Sequence, residues 1–114
     1  EESPGLEGLS LIDAEVVRFS ERVNLPIPQM NWNHISLKDK SNKLFEDFDI
    51  DNHRFYFVHS FFVNPKNKNH IIATTKYGVQ FCSIVNDKNI FGMQFHPEKS
   101  LSSGKKIIEN FCKL

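Results

Sequence analysis

The run Arg54-Phe55-Tyr56-Phe57-Val58-His59-Ser60-Phe61-Phe62-Val63 constrains the fold more than any other stretch of the chain. A strand with one wet face alternates apolar and polar residues. This run offers apolar side chains to both faces and reads as an interior strand covered on two sides. The neighbours such a strand needs are present. Residues 70–77 are β-branched and aromatic, and Gly78 marks a turn. Residues 79–85 and 88–95 read as a hairpin across Asn86-Asp87. Upstream, a turn at Asp13 leads into a strand through Phe19, and Pro26 and Pro28 keep residues 21–30 extended. Gln29-Met30-Asn31-Trp32-Asn33 then leads into a second strand around residues 34–37.

Helical signals are fewer. Leu44, Phe45 and Phe48 recur at helical spacing after Ser41, predicting a short helix over residues 41–48. Ser102 or Ser103 caps a helix running to about Leu114, with Ile107, Ile108 and Phe111 as its buried stripe. Lys105, Lys106 and Glu109 face outward on that helix. Residues 1–8 carry Pro4, Gly5 and Gly8 and read as a loop. The expected architecture is α/β: a β-rich segment followed by a C-terminal helix.

At 114 residues the chain holds one domain at most, with a modest core. Fourteen basic and fourteen acidic residues leave no net charge, which argues against a nucleic-acid footprint or a membrane-surface patch. No apolar run reaches the length of a membrane span, and no signal peptide opens the chain. The two cysteines, Cys82 and Cys112, lack metal-ligand spacing and read as reduced thiols of a cytoplasmic protein. Cys82 falls mid-strand and reads as packing; Cys112 reads as a small buried hydrophobe. Neither a metal site nor another cofactor is expected.

The chemistry-bearing stretch lies near the C-terminus, at Phe91-Gly92-Met93-Gln94-Phe95-His96-Pro97-Glu98-Lys99-Ser100. Phe91, Met93 and Phe95 alternate with Gly92 and Gln94, and Pro97 stops the strand because it lacks an amide donor. His96 is then the last side chain of the strand, with Glu98 just beyond the turn. A carboxylate two residues from an imidazole can hold one ring nitrogen and leave the other to take a proton. A surface turn that merely contains His and Glu is the plainer alternative.

Residues 92–100 resemble the His-Pro-Glu signature of triad-type (class I) glutamine amidotransferases. Three further stretches resemble one branch, the glutaminase subunit of imidazole glycerol phosphate synthase: Leu9-Ser10-Leu11-Ile12, Glu15-Val16-Val17-Arg18-Phe19 and Pro28-Gln29-Met30-Asn31-Trp32-Asn33. So does Tyr56-Phe57-Val58-His59-Ser60. Asn31 stands where that subunit usually has Gly, and Gln29 where it commonly has His. The resemblance implies a flavodoxin-like fold in which His96 and Glu98 are catalytic, completing a triad whose nucleophile is a cysteine. It implies that Ser60 and Phe61 help bind the substrate, L-glutamine. It places Trp32 towards a synthase partner, a (βα)8-barrel cyclase, with Tyr56 and Lys99 as further interface residues. Trp32 as a half-buried anchor, Tyr56 as packing and Lys99 as a solvated turn lysine are the alternatives. His59 reads as a hydrogen-bonded core histidine.

The resemblance covers nearly all of the chain but only the family's part after the nucleophile helix. No Gly-x-Cys-x-Gly turn occurs, and the first residue is not Met. Residues 1–114 are therefore expected to be the C-terminal part of a single amidotransferase domain, inactive alone. Three other readings stay open: an amidotransferase feeding ammonia to a sugar-modifying enzyme of surface-polysaccharide synthesis, a non-catalytic assembly module of the same fold, and a hydrolase acting on another amide.

Overall fold

The computed structural model describes residues 11–20, 23–38 and 40–114. The loop expected over residues 1–8, and Leu9 and Ser10 after it, lie outside the described residues. Among the described residues, eight strands and one α-helix follow in order: β1 (Ala14–Arg18), β2 (Gln29–Asn33), β3 (Ser36–Leu37), β4 (Phe55–His59), β5 (Phe61–Pro65), β6 (Ile71–Tyr77), β7 (Val79–Asp87), β8 (Ile90–Met93) and α1 (Leu101–Cys112). Six strands form one sheet in the order β1-β5-β7-β6-β3, with β8 also paired to β7. β2 and β4 form a separate two-stranded sheet. Every pairing among the described residues is antiparallel. The architecture is thus α/β, sheet-dominated with a C-terminal helix.

The apolar run of residues 54–63 is two strands rather than one. Phe55–His59 pairs with β2, whereas Phe61–Pro65 pairs with β1 and β7, so the chain changes sheets at Ser60. On β4, Phe55, Phe57 and His59 are buried, while Tyr56 and Val58 are half-buried on the other face. Two apolar faces in the sequence therefore correspond to one covered face and one partly open face.

A cluster of aromatic rings fills the space between the sheets. Phe19 packs against His59, Phe62, Tyr77 and Phe81 at centroid separations of 5.1–5.6 Å. Phe95 lies 4.5 Å from Phe55 and 5.7 Å from Phe57. Tilted and edge-on rings of this kind add to the burial of their area. This cluster anchors Phe95, the residue before His96.

Turns follow the local sequence where one residue dominates, and depart from it where partners decide. Gly78 makes the β6–β7 turn at φ +76°, where an added Cβ would lie 2.3 Å from Val23. The β7–β8 turn falls on Lys88-Asn89 rather than Asn86-Asp87, because Asp87 already pairs with Ile90. The Asn86 side chain instead flanks the turn, donating to the carbonyls of Lys88 and Ile90. The second upstream strand is Gln29–Asn33 itself, leaving only Ser36–Leu37 in the stretch expected to be extended. The helix expected over residues 41–48 is a single 3-10 turn, Lys43–Phe45, capped by the Asn42 side chain, with Asp47 beyond it at φ +57°.

Helix α1 is present but rotated from expectation. Its buried residues are Ser103, Gly104, Ile107 and Asn110, while Ile108 and Phe111 are 43% and 47% exposed. The rotation has a polar cause. Asn110 Nδ2 donates to the carbonyls of Leu44 (2.9 Å) and Glu46 (3.0 Å), which brings Asn110 to the inner face. Cys112 is consequently exposed, not buried. No helix among the described residues is long and apolar enough to cross a membrane.

Candidate active site

Strand β8 ends at Met93, two residues before the sequence pattern ends, because Gln94 and Phe95 bend the chain away. Gln94 N still donates to Ser83 O on β7. Two residues on, His96 N donates instead to Tyr56 O on β4, at 2.9 Å. His96 thus sits where the chain crosses from the large sheet to the small one. Its backbone is extended (φ −95°, ψ 98°), as the following proline favours, and Pro97–Lys99 forms a 3-10 turn.

That turn brings Glu98 back onto the imidazole. His96 Nδ1 and Glu98 Oε1 are 2.6 Å apart, a charge-assisted distance. Both side chains are substantially open, at 39% and 59% exposure. The Glu98 carboxyl is held below its ordinary range, first by its own backbone N–H and then by the His96 side chain. A carboxylate acceptor at Nδ1 fixes the proton on that nitrogen and presents Nε2 as the basic one.

The remaining expected site residues fall in two groups. Trp32 and Tyr56 are cross-strand partners on β2 and β4, with rings edge-on at 5.7 Å. Met30 and Val58 form the next pair on the same face, and Met30 and Trp32 are 62% and 41% exposed. Lys99 is exposed on the Glu98 turn. Ser60 and Phe61 lie at the β4–β5 crossover, both half-buried, and Ser60 O accepts from Phe19 N. They stand four and five residues beyond Tyr56, about 13 Å or more along extended chain.

Two histidines and a cysteine are accounted for by structure. His59 is buried, with Nδ1 on Phe61 O (2.8 Å) and Nε2 on Gln29 Oε1 (2.7 Å). Gln29 is itself fully buried and donates to Asn31 Oδ1. His53 Nδ1 meets Ser103 Oγ at 2.8 Å. Cys82 is buried mid-strand, and burial pushes its thiol up to about 11, so it remains a neutral S–H on Ile84 O. Among the described residues, no group of three His, Cys, Asp or Glu side chains is arranged for a metal ion.

The model of the family "Glutamine amidotransferase class-I" matches residues 14–114. This chain belongs to that family. The class I relatives it resembles include imidazole glycerol phosphate synthase subunit HisH of Acinetobacter baylyi, 40% identical over 97% of this chain and 54% of that protein. HisH 2 of Methanococcus maripaludis is 46% identical over 95% of this chain and 52% of its own length. HisH of Methanocaldococcus jannaschii is 45% identical over all of this chain and 56% of its own. The chain spans about half the length of the curated relatives it matches.

Two residues on which sequence reasoning is silent adjoin the turn that carries His96 and Glu98. Ser100 is buried, with its hydroxyl donating to His96 O, and Gly104 faces the backbone of Pro97. Neither stands out in a periodicity pattern. Ser100 is visible only as part of the His-Pro-Glu-Lys-Ser string, and Gly104 only as a glycine inside a helix, which is unfavourable unless space demands it.

Proposed function

We propose that this chain carries the base and its orienting carboxylate for a Cys-His-Glu glutaminase of the HisH type. It would form the C-terminal part of one amidotransferase domain, with the nucleophilic cysteine on the remaining part. The observation that carries the reading is the 2.6 Å contact between His96 Nδ1 and Glu98 Oε1. His96 Nε2 takes the proton from the cysteine thiol, and the thiolate sulfur attacks the side-chain amide carbon of L-glutamine. The C–N bond breaks as the imidazolium returns that proton to the departing nitrogen, releasing ammonia and leaving a glutamyl thioester. Water, deprotonated by His96, attacks the thioester carbonyl; the C–S bond breaks, glutamate leaves and the thiol is restored. Glu98 keeps the ring oriented and stabilises each imidazolium. Ser60 and Phe61 are assigned to the substrate side.

The relatives named above are subunits of imidazole glycerol phosphate synthase. By that likeness the ammonia from this chain's enzyme goes to a cyclase partner in imidazole glycerol phosphate formation, within histidine biosynthesis. The open Met30–Trp32–Tyr56 face supports a partner surface there, since exposed aromatic pairs are typical interface anchors. Lys99, exposed on the Glu98 turn, is assigned to bridge to a partner carboxylate.

Glutamate release from glutamine tests the proposal, measured on the protein that carries this chain together with its nucleophile. His96→Ala is expected to lower turnover by about 10²–10⁴-fold, and residues 1–114 alone to give none. Glutamine hydrolysis by residues 1–114 alone, or full turnover by His96→Ala, overturns it.

A further inference from the structure

We propose that Ser100 is a positioning residue that fixes the backbone of His96, and with it the imidazole; the inference rests on the dyad assigned above. Three hydrogen bonds close a ring around this serine. His96 N donates to Tyr56 O at 2.9 Å. Tyr56 N donates to Ser100 Oγ at 2.9 Å. Ser100 Oγ donates to His96 O at 2.6 Å. Both polar backbone groups of His96 are therefore tied, one to β4 directly and one to β4 through a single hydroxyl. Ser100 is 1% exposed, so water does not compete for these bonds.

The local chain is arranged at the expense of a commoner use for this serine. Ser100 occupies the position preceding α1, where a serine ordinarily accepts from an amide of the first helical turn. It makes no such cap bond. Its oxygen is turned back to Tyr56 and His96 while its carbonyl accepts from Gly104 N and starts the helix. The next residue, Leu101, is exposed and held at φ +52°, a conformation that bulky side chains rarely adopt. A ring of bonds that outweighs a helix cap and a left-handed leucine fixes the site on which Glu98 and His96 depend.

A loose His96 backbone lets the imidazole swing away from the line between Glu98 and the nucleophile. Displacements near 1 Å cost about 100-fold in positioned reactions. In the protein carrying this chain with its nucleophile, Ser100→Ala is expected to lower kcat about 10- to 100-fold with KM changed less than about twofold. The proton resonance on His96 Nδ1, sharpened by Glu98, is expected to broaden in the same variant. A folded Ser100→Ala protein with unchanged kcat and an unchanged Nδ1 resonance overturns the proposal. Should Ser100→Ala fail to fold, Ser100→Thr and Ser100→Val share a shape and differ by the hydroxyl. The Thr variant is then expected to exceed the Val variant by the same factor, and equal kcat refutes the role. His96→Ala serves as the control for the reading beneath. If it hydrolyses glutamine as well as the parent, the glutaminase assignment falls, while the Nδ1 resonance still decides whether Ser100 positions His96.

Discussion

Replacing Gly104 with alanine sets two well-defined effects against each other. By helix propensity alone, Gly→Ala inside α1 stabilises by about 1 kcal/mol. The position does not require glycine for its backbone angles, because Gly78 is the described glycine with positive φ. It requires glycine for room. A Cβ at Gly104 would lie 1.7 Å from Pro97 O, 2.6 Å from Pro97 C and 3.0 Å from Pro97 Cα. An ordinary carbon–oxygen contact is about 3.3 Å. The helix and the 97–99 turn must therefore separate by about 1.6 Å, the difference between 3.3 Å and 1.7 Å. The obstacle is a backbone carbonyl and cannot rotate aside. Overpacking of this kind costs about 1–3 kcal/mol and falls at the upper end when backbone must move, leaving a net loss of about 1–2 kcal/mol. The turn that moves is the one carrying Glu98, so the dyad should open as well. Urea unfolding followed by circular dichroism gives the stability, and glutamate release in the protein carrying the nucleophile gives the activity. Gly104→Ala is expected to unfold at lower urea and to lose activity. A variant stabilised by about 1 kcal/mol with unchanged turnover would show that propensity, not space, governs the position.

Two further outcomes follow from buried groups away from the dyad. Asn110→Ala leaves the Leu44 and Glu46 carbonyls without their donor and is expected to cost about 2–3 kcal/mol in urea unfolding; a loss within about 0.5 kcal/mol would place the helix register on its apolar contacts instead. Alkylation of the folded chain near neutral pH is expected to modify Cys112 and spare Cys82. The folded Cys82 thiol keeps its proton to about 11, while an unfolded one ionises near 9.0. Its contribution to stability is therefore constant below pH 9 and declines as pH rises from about 9 towards 11. The difference in urea midpoint between the parent and Cys82→Ala, taken from pH 8 to 11, isolates that decline; a flat difference curve contradicts the burial argument.

Features carried by one residue and its immediate neighbours were legible in the sequence. Pro97 cannot donate to a ladder and favours extended geometry before it, so the extended backbone of His96 and the return of Glu98 follow from a short string, although β8 itself ends earlier, at Met93. Gly78 announced its turn, and the lack of a glycine-flanked setting already set Cys82 aside as a nucleophile. The His-Pro-Glu-Lys-Ser run pointed to the class I family before any coordinates. What the string did not convey was the use made of Ser100, because its two partners include Tyr56, 44 residues away.

Tertiary structure decided whatever depended on distant partners. Residues 54–63 have one uniform apolar character, yet β2 takes the first half and β1 with β7 take the second, and only pairing separates them. The face of α1 escapes periodicity, which weighs apolar side chains, whereas Asn110 turns inward to satisfy two carbonyls from residues 44 and 46. Gly104 has the same origin: its role lies in the closeness of the Pro97 carbonyl. Backbone geometry and turn chemistry act over a few residues, so sequence alone determined where the dyad lies and which residues form it. Sheet partnership, helix register and the bonds that hold His96 are long-range satisfactions of polar groups and volume, and these were settled only when the chain closed on itself.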